Sequence, residues 1–570
     1  MRTEHHSKTS LYSFLFLAVC AVIFLISLSV NHDYFYKLAY DNLFCYQLKQ
    51  LATLLVMWLL GGAFLLLIRT TLSDSMVILL SFPTGLCLWA FASFFLLMLG
   101  IPYTVPAVAV TLLAVYVLIF FLRHRISNDR LRTDSLRNLP AVSPRNFSIL
   151  AIFLGVMLLC STGILYVFLS YDSYFYFINY GNALTILKSF ADIVGSNSFT
   201  LTNIGQFLPL VNSYASFWGL DQSFQIQAFL TFNLLACFFY GSLCLFRKNL
   251  SAKKALFFSA LLTLFLASST CFIILSSWVL ANMYCMVYLF LIVFVIELAC
   301  REATVNSPAD DPASVGNHGI HNPEVCILVS MFLTALALLR KDGIIFAAFV
   351  CVWIALRNIR SKKTQLLVFL PAAIVELWWL FYVRIVLNAS VGQAVYSSVT
   401  NNKNIFLVVA AIVGTCVYIL LVHPFLEHLF RNRFSFPQGE TLLLYLGMII
   451  MIGLLTLRDW NFIVDNVDMT IRNMLLFPSI WGISAVMYAM LVVITMLQKD
   501  FWDADTFLWL GYIILNFISY SMVDSKWFWV NWDDSYMRVF LQIVPVIVFI
   551  CGKKLSALLQ SYTPDHNSES

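Results

Sequence analysis

Asp172 stands in the stretch SYDSYFYFINYG, residues 170–181, where a long apolar run gives way to aromatic and polar residues around one carboxylate. A carboxylate in that setting has the chemistry of a general base, taking a proton from an acceptor hydroxyl. If 172–180 is helical, Asp172, Tyr176 and Asn179 share one face at i, i+4 and i+7. Downstream, LLRKDGIIF (338–346) joins two short apolar runs through Arg340, Lys341, Asp342 and Gly343. Two adjacent cations at a hydrocarbon edge are costly unless an anion meets them, and phosphate suits Arg through a two-pronged contact. The same pair also fits a plain span boundary whose long side chains reach for the interface.

Further charges fall at similar places. Glu376 and Arg384 lie eight residues apart in LPAAIVELWWLFYVRIVLN, a spacing that lets both face one side of a span; an ion pair with another span or, for Arg384, an anion site would account for them. DSKWFWVNWDDSYMR (524–538) places Arg538 directly before an apolar run, with three Trp residues suited to an interface. RDWNFIVDNVDMTIR (458–472) reads as a loop of solvated charges, and Asp192 and Asp221 are further acidic residues of the 171–222 segment.

The elements that position these residues follow from composition. Of 570 residues, 61% are hydrophobic and 11% charged, against roughly a quarter charged in a soluble domain. Apolar runs long enough to cross a hydrocarbon core of roughly 30 Å recur from 11–30 to 539–552, and continuous runs of this kind cross as helices. The expected fold is all-α and polytopic, with about fourteen to sixteen transmembrane helices and an amphipathic helix lying at the interface in the large outer loop. The runs 325–339 and 344–356 are short enough to be tilted or re-entrant.

Three regions are expected: a four-span part, 1–146, ending in a basic loop; a longer membrane core, 147–552; and a short tail, 553–570. A first span retained in the chain is the reading for 11–30, since no small-residue cleavage site follows it. With the N-terminus in the cytoplasm, about two-thirds of the 34 Lys and Arg residues fall on the inner side. That assignment puts Asp172, Arg340 and Arg538 outside. The net charge of +5 is spread over short loops, which excludes a nucleic-acid footprint. No GxxxxGK[ST] or GxGxxG motif appears, and the cysteines show no CxxC pair or zinc spacing. An acidic outer surface has the ligand type for Mg or Mn, without a constellation that specifies either, and no metal ligands or cofactor are assigned.

A base, fixed cations and a membrane groove are what a hydroxyl attack on a lipid-linked phosphate sugar requires. In FLSYDSYFYFINYG, ALLRKDGIIF and DDSYMRVFLQIVP the chain resembles membrane glycosyltransferases of the GT-C class. These have an outer loop opening on a catalytic Asp, an R-x-E/D-G hinge between two short spans, and a terminal Arg-(x)n-Pro at the start of a span. The resemblance covers 147 to about 550, and four extra spans precede the Asp-bearing loop. It implies a polyprenyl-phosphate sugar donor, a glycan or lipid-linked acceptor, and a multi-pass protein of the bacterial inner membrane with its site outside. Asp172 is then the base, and Arg340, Lys341 and Arg538 bind the donor phosphate. Tyr176, Asn179, Asp342 and Arg384 support them. Two other readings are a transporter or flippase of a lipid-linked glycan, with Glu376, Arg384 and the outer charges lining its path, and a glycan polymerase or ligase, which needs the outer Arg residues but no Asp base.

Overall fold

The computed structural model describes residues 2–35, 43–69, 72–127, 144–162, 177–196, 204–220, 224–277, 279–305, 322–357, 361–387, 402–433, 436, 438–472, 484–497, 502–521 and 535–561. Among these there is no strand, and the described elements are all helices. Nine described helices are long and apolar enough to cross a membrane, or ten if the bent pair Ala252–Ser268 and Thr270–Ser277 forms one span. Shorter apolar helices include Leu11–Ser27, Asn146–Ser161, Pro323–Leu339, Gly343–Leu356, Ser484–Met496 and Ala504–Ser519. The described helices fall into two compact units.

The first unit holds Met1–Asn233 with Ser277–Val279 and Phe381–Ser398. Its tightest seam joins helices Leu43–Ile68 and Asp74–Met98, where glycines replace side chains at the crossing. A Cβ on Gly61 would overlap the Ser81 carbonyl oxygen, and one on Gly85 would overlap that of Met57. Small residues let membrane helices approach backbone to backbone, so this contact relies on van der Waals packing that no larger residue permits. Gly85→Val is expected to force the helices apart and cost about 1–3 kcal/mol, the usual overpacking range. Gly62→Ala is the control, because its Cβ meets only the movable Ser81 side chain, at 3.1 and 3.8 Å. Equal thermal midpoints for the two variants would refute this account of the seam.

The second unit holds Leu234–Ser276, Leu280–Leu380 and Val399–Ser570. Its axis is helix Ala281–Val305, whose apolar stretch Ala281–Leu298 is buried along its whole length. A helix apolar on every side belongs in a core, and this one is packed on all sides. Helix Gly439–Arg458 ends at Asp459, where an extended backbone (φ −152°, ψ 89°) breaks the rod and the Asp459 side chain accepts from the Phe462 amide at 3.0 Å. That cap starts helix Trp460–Ile471. Phe462 and Ile463 turn inward against Leu455 and Ile518, while Asp465 stays exposed. The expectation of a solvated loop over 458–472 is therefore corrected: an N-cap Asp and an apolar face at helical spacing make it an amphipathic helix.

Candidate functional site

The hinge of the second unit is built where helix Pro323–Leu339 stops and helix Gly343–Leu356 begins. Arg340 adopts an extended backbone as the first helix ends (φ −143°, ψ 153°). Gly343 is required by space: a Cβ there would overlap the Leu336 carbonyl oxygen and come within 2.5 Å of that of Ala337. The glycine lets the second helix start directly against the last turn of the first, which holds the three residues between them in a tight loop.

Within that loop Arg340 and Asp342 close on each other as a fork. Nε donates to Oδ1 at 2.8 Å and Nη2 to Oδ2 at 3.1 Å. The third guanidinium nitrogen, Nη1, donates to Asn282 Oδ1 at 3.1 Å. Asn282 Oδ1 also accepts from Gln542 Nε2 at 2.8 Å, and Gln542 Oε1 accepts from the Tyr512 hydroxyl at 2.8 Å. Asn282, Gln542 and Tyr512 are buried, so the network carries polar contacts from the hinge into the apolar core. Burial opposes ionisation of Asp342, but the Arg340 guanidinium outweighs it and holds the carboxyl below its ordinary value. Lys341 is exposed beside the pair.

The other expected site residues are placed as follows. Arg538 is half-buried in helix Ser535–Phe540, one turn before Gln542. Glu376 is buried at 4% exposure, and its carboxyl has the like charge of Asp342 near it; no ion pair joins it among the described residues. Arg384 lies in the π-helical end of its span, Tyr382–Leu387, and is exposed, so the inward-facing expectation for that side chain is not met. Asn179 opens helix Asn179–Leu187, whose Tyr180, Gly181 and Leu184 are buried; a Cβ on Gly181 would press into Asn212 and Ser213. Asp172, Tyr176 and Asp221 lie outside the described residues. Asp192 is exposed and accepts from the Ser189 hydroxyl at 2.6 Å. Among the described residues no group of three or more His, Cys, Asp or Glu side chains is placed to hold a metal.

A second charged centre was not anticipated. At the far end of helix Ala281–Val305, roughly 22 Å from Asn282 at about 1.5 Å per residue, Glu297 meets Arg357 and Lys553. Lys553 Nζ lies 2.9 Å from Glu297 Oε1 and 2.6 Å from Asp505 Oδ2, and Arg357 Nε lies 3.4 Å from Asp505 Oδ1. Lys554 joins Asp503 at 3.0 Å and the Thr506 hydroxyl at 2.9 Å. The arrangement can tie helix ends together; the hinge, with its fork-forming Arg and chain of amides, has the parts for anion recognition. A third polar knot joins His423 Nδ1 and the Tyr418 hydroxyl to Glu440 Oε1, at 2.9 and 2.7 Å. A single acid inside an apolar run, as in LIVFVIELAC, was the signal for the first of these. Comparison with protein-family models, with curated proteins and with solved structures finds no match to this chain.

Proposed function

We propose that this chain is a GT-C-like membrane glycosyltransferase of fourteen to sixteen spans. It transfers a sugar from a polyprenyl-phosphate donor to an acceptor hydroxyl at the outer membrane face. The observation that carries the reading is the hinge network: a guanidinium fixed at the break between two apolar helices, backed by Asn282, Gln542 and Tyr512. A phosphate has the same two-pronged acceptor geometry as the Asp342 carboxylate, so the donor exchanges for Asp342 on Arg340. Lys341 and Arg538 add positive charge to the same end of the unit. Fixed donors of this kind stabilise a leaving phosphate without reorganising at the moment of reaction. Asp172 serves as the base, with Tyr176 and Asn179 in supporting roles.

The bend of 63° between Ala252–Ser268 and Thr270–Ser277 favours a second reading, since broken helices mark substrate paths in transporters. One experiment separates the two. Purified protein in proteoliposomes is given polyprenyl-phosphate hexose labelled in the sugar, with bacterial membrane glycolipid as acceptor. Transfer moves label onto a new product, whereas a flippase changes only the leaflet of the intact donor. Label that never leaves the donor would defeat the transferase reading. Retained transfer by Asp172→Asn would remove that residue as the base.

A further inference from the structure

The second unit carries an apolar surface that neither the hinge nor the charged clusters use. Helix Gly439–Arg458 is 20 residues long, about 30 Å at 1.5 Å per residue, so Asp459 breaks it at the length where a span leaves the hydrocarbon. Phe462 and Ile463 pack with Leu455, in the last turn of that span. Helix Trp460–Ile471 is thereby folded back against the end of the span instead of running on beyond it. Its burial pattern has three faces. Phe462, Ile463 and Asn466 make the buried one. Trp460, Val464, Val467 and Ile471 fall within one arc of about 60° at 3.6 residues per turn, and all four are exposed. Asn461, Asp465, Asp468 and Arg472 make the third, beside that arc.

An exposed apolar stripe alongside a charged one suits a helix lying in the plane of the interface, with lipid chains under one face and water over the other. Charge is not what draws it there. Between Arg458 and Arg472 stand three carboxylates, Asp459, Asp465 and Asp468, and Arg472 Nε lies 2.7 Å from Asp468 Oδ2. The apolar stripe therefore supplies the attraction, with Trp460 at its head, a ring that settles at headgroup level.

At the root of this helix the surface is hollow. Ile450, Gly453, Leu454, Thr456, Leu457 and Trp460 line an open groove of about 610 Å³. A Cβ on Gly453 would meet no atom within 4 Å, so the absent side chain leaves the wall recessed. The Thr456 hydroxyl is turned back on its own helix, donating to the Ile452 carbonyl at 2.8 Å, and the groove is apolar along its length. From Ile450 to Leu457 it follows the span for about 10 Å, and Trp460 joins it to the stripe. An apolar hollow along a span, with charged residues at its end, repeats the two levels of a phospholipid, chain and headgroup. We propose that helix Trp460–Ile471 lies in the membrane interface and that the groove at its root seats an acyl chain of a phospholipid. Stripe and groove run on into the open side of the span, where Leu443, Leu446 and Ile449 are exposed to hydrocarbon, and that continuity favours lipid over a second copy or another segment of the chain.

The test uses the full chain in nanodiscs of phosphatidylethanolamine and phosphatidylglycerol. A ketone amino acid carrying a nitroxide, which spares the native cysteines, replaces Val464, Val467 or Ile471, and in a second set Asn461, Asp465 or Asp468. Collision with oxygen, which concentrates in lipid, is compared with collision with a nickel chelate, which stays in water. The oxygen-to-nickel ratio is expected to be at least fivefold higher in the first set. Equal ratios in the two sets, or exclusion of both reagents from the first, would put water or protein on that face and overturn the interfacial placement. The groove is read by native mass spectrometry of the chain released from the same nanodiscs. One retained phospholipid is expected, and Gly453→Leu is expected to lower its bound fraction at least fivefold. Gly447→Leu is the control, since a Cβ there also meets nothing within 4 Å while the residue does not line the groove. If Gly453→Leu fails to fold, Trp460→Ala opens the same groove from its other end and is expected to release the lipid likewise. No retained phospholipid, equal loss in the Gly447 and Gly453 variants, or displacement by an equimolar polyprenyl phosphate overturns the acyl-chain seat.

Discussion

Lys553→Met lowers the stability of the second unit by about 3–5 kcal/mol, the cost of leaving a buried charge without its partner. The arithmetic of the cluster sets that expectation. Glu297 and Asp505 share two cations, Lys553 and Arg357, each of which touches both carboxylates. The Glu297 and Asp505 side chains are 6% and 9% exposed, so the solvent that reaches the 30%-exposed Lys553 side chain replaces a lost ammonium only in part. Methionine keeps the packing of the lysine stem and removes only the charge. Two carboxylates then compete for one guanidinium. Adding Asp505→Asn restores the balance, leaving Glu297 with Arg357, and the double variant is expected to recover most of the loss. Lys554→Met is the comparison: its partner Asp503 is 35% exposed, so solvent replaces the contact and the cost falls to about 1 kcal/mol or less. Denaturation midpoints in micelles of rising SDS fraction read all three. A double variant as unstable as Lys553→Met would show that charge balance is not what holds this end together.

Local pattern made the hinge legible. The apolar runs expected at 325–339 and 344–356 are the helices Pro323–Leu339 and Gly343–Leu356, because their length and the intervening charges are properties of contiguous residues. What Arg340 touches was not legible. Asn282 and Gln542 are 58 residues before it and far beyond it in the chain, and only packing brings their amides to the guanidinium. The same holds for the partners of Glu297, Arg357 and Lys553, which come from two other helices. Helix Trp460–Ile471 carries its signal beneath a run of loop-like charges: Asp459 is the cap, and Phe462, Ile463 and Asn466 share one buried face. Arg384 shows the opposite case, since an eight-residue spacing from Glu376 says nothing of a span that ends in a π-helical turn.

Arg340→Gln inverts the pH dependence of the hinge. In the native protein burial works against the Asp342 carboxylate and Arg340 outweighs it, so the folded pKa lies below the unfolded one. A group lowered in this way contributes stability that is fully present above the unfolded pKa of about 3.9, and that is lost as pH falls through the lower folded value. Without the guanidinium, burial prevails, with exposed Lys341 offsetting part of it. The folded pKa then lies above the unfolded one. Stability at the hinge is present at low pH and declines as pH rises from about 4 through the raised value. Hydrogen exchange of the amides at 340–345, followed from pH 3 to 8 in a Glu376→Gln background that leaves Asp342 as the titrating acid, reads the sign directly. Parallel profiles with and without Arg340 would show that the fork seen between these side chains does not control Asp342. The same substitution tests the phosphate role independently of stability. If Arg340 holds the leaving phosphate, sugar transfer falls by about 100-fold, the scale of removing one fixed donor from a developing anion. Lys341→Gln falls less, because an exposed ammonium acts through solvent. A protein that keeps its transfer rate while the pH profile inverts would make Arg340 a keeper of the hinge and not a contact of the donor.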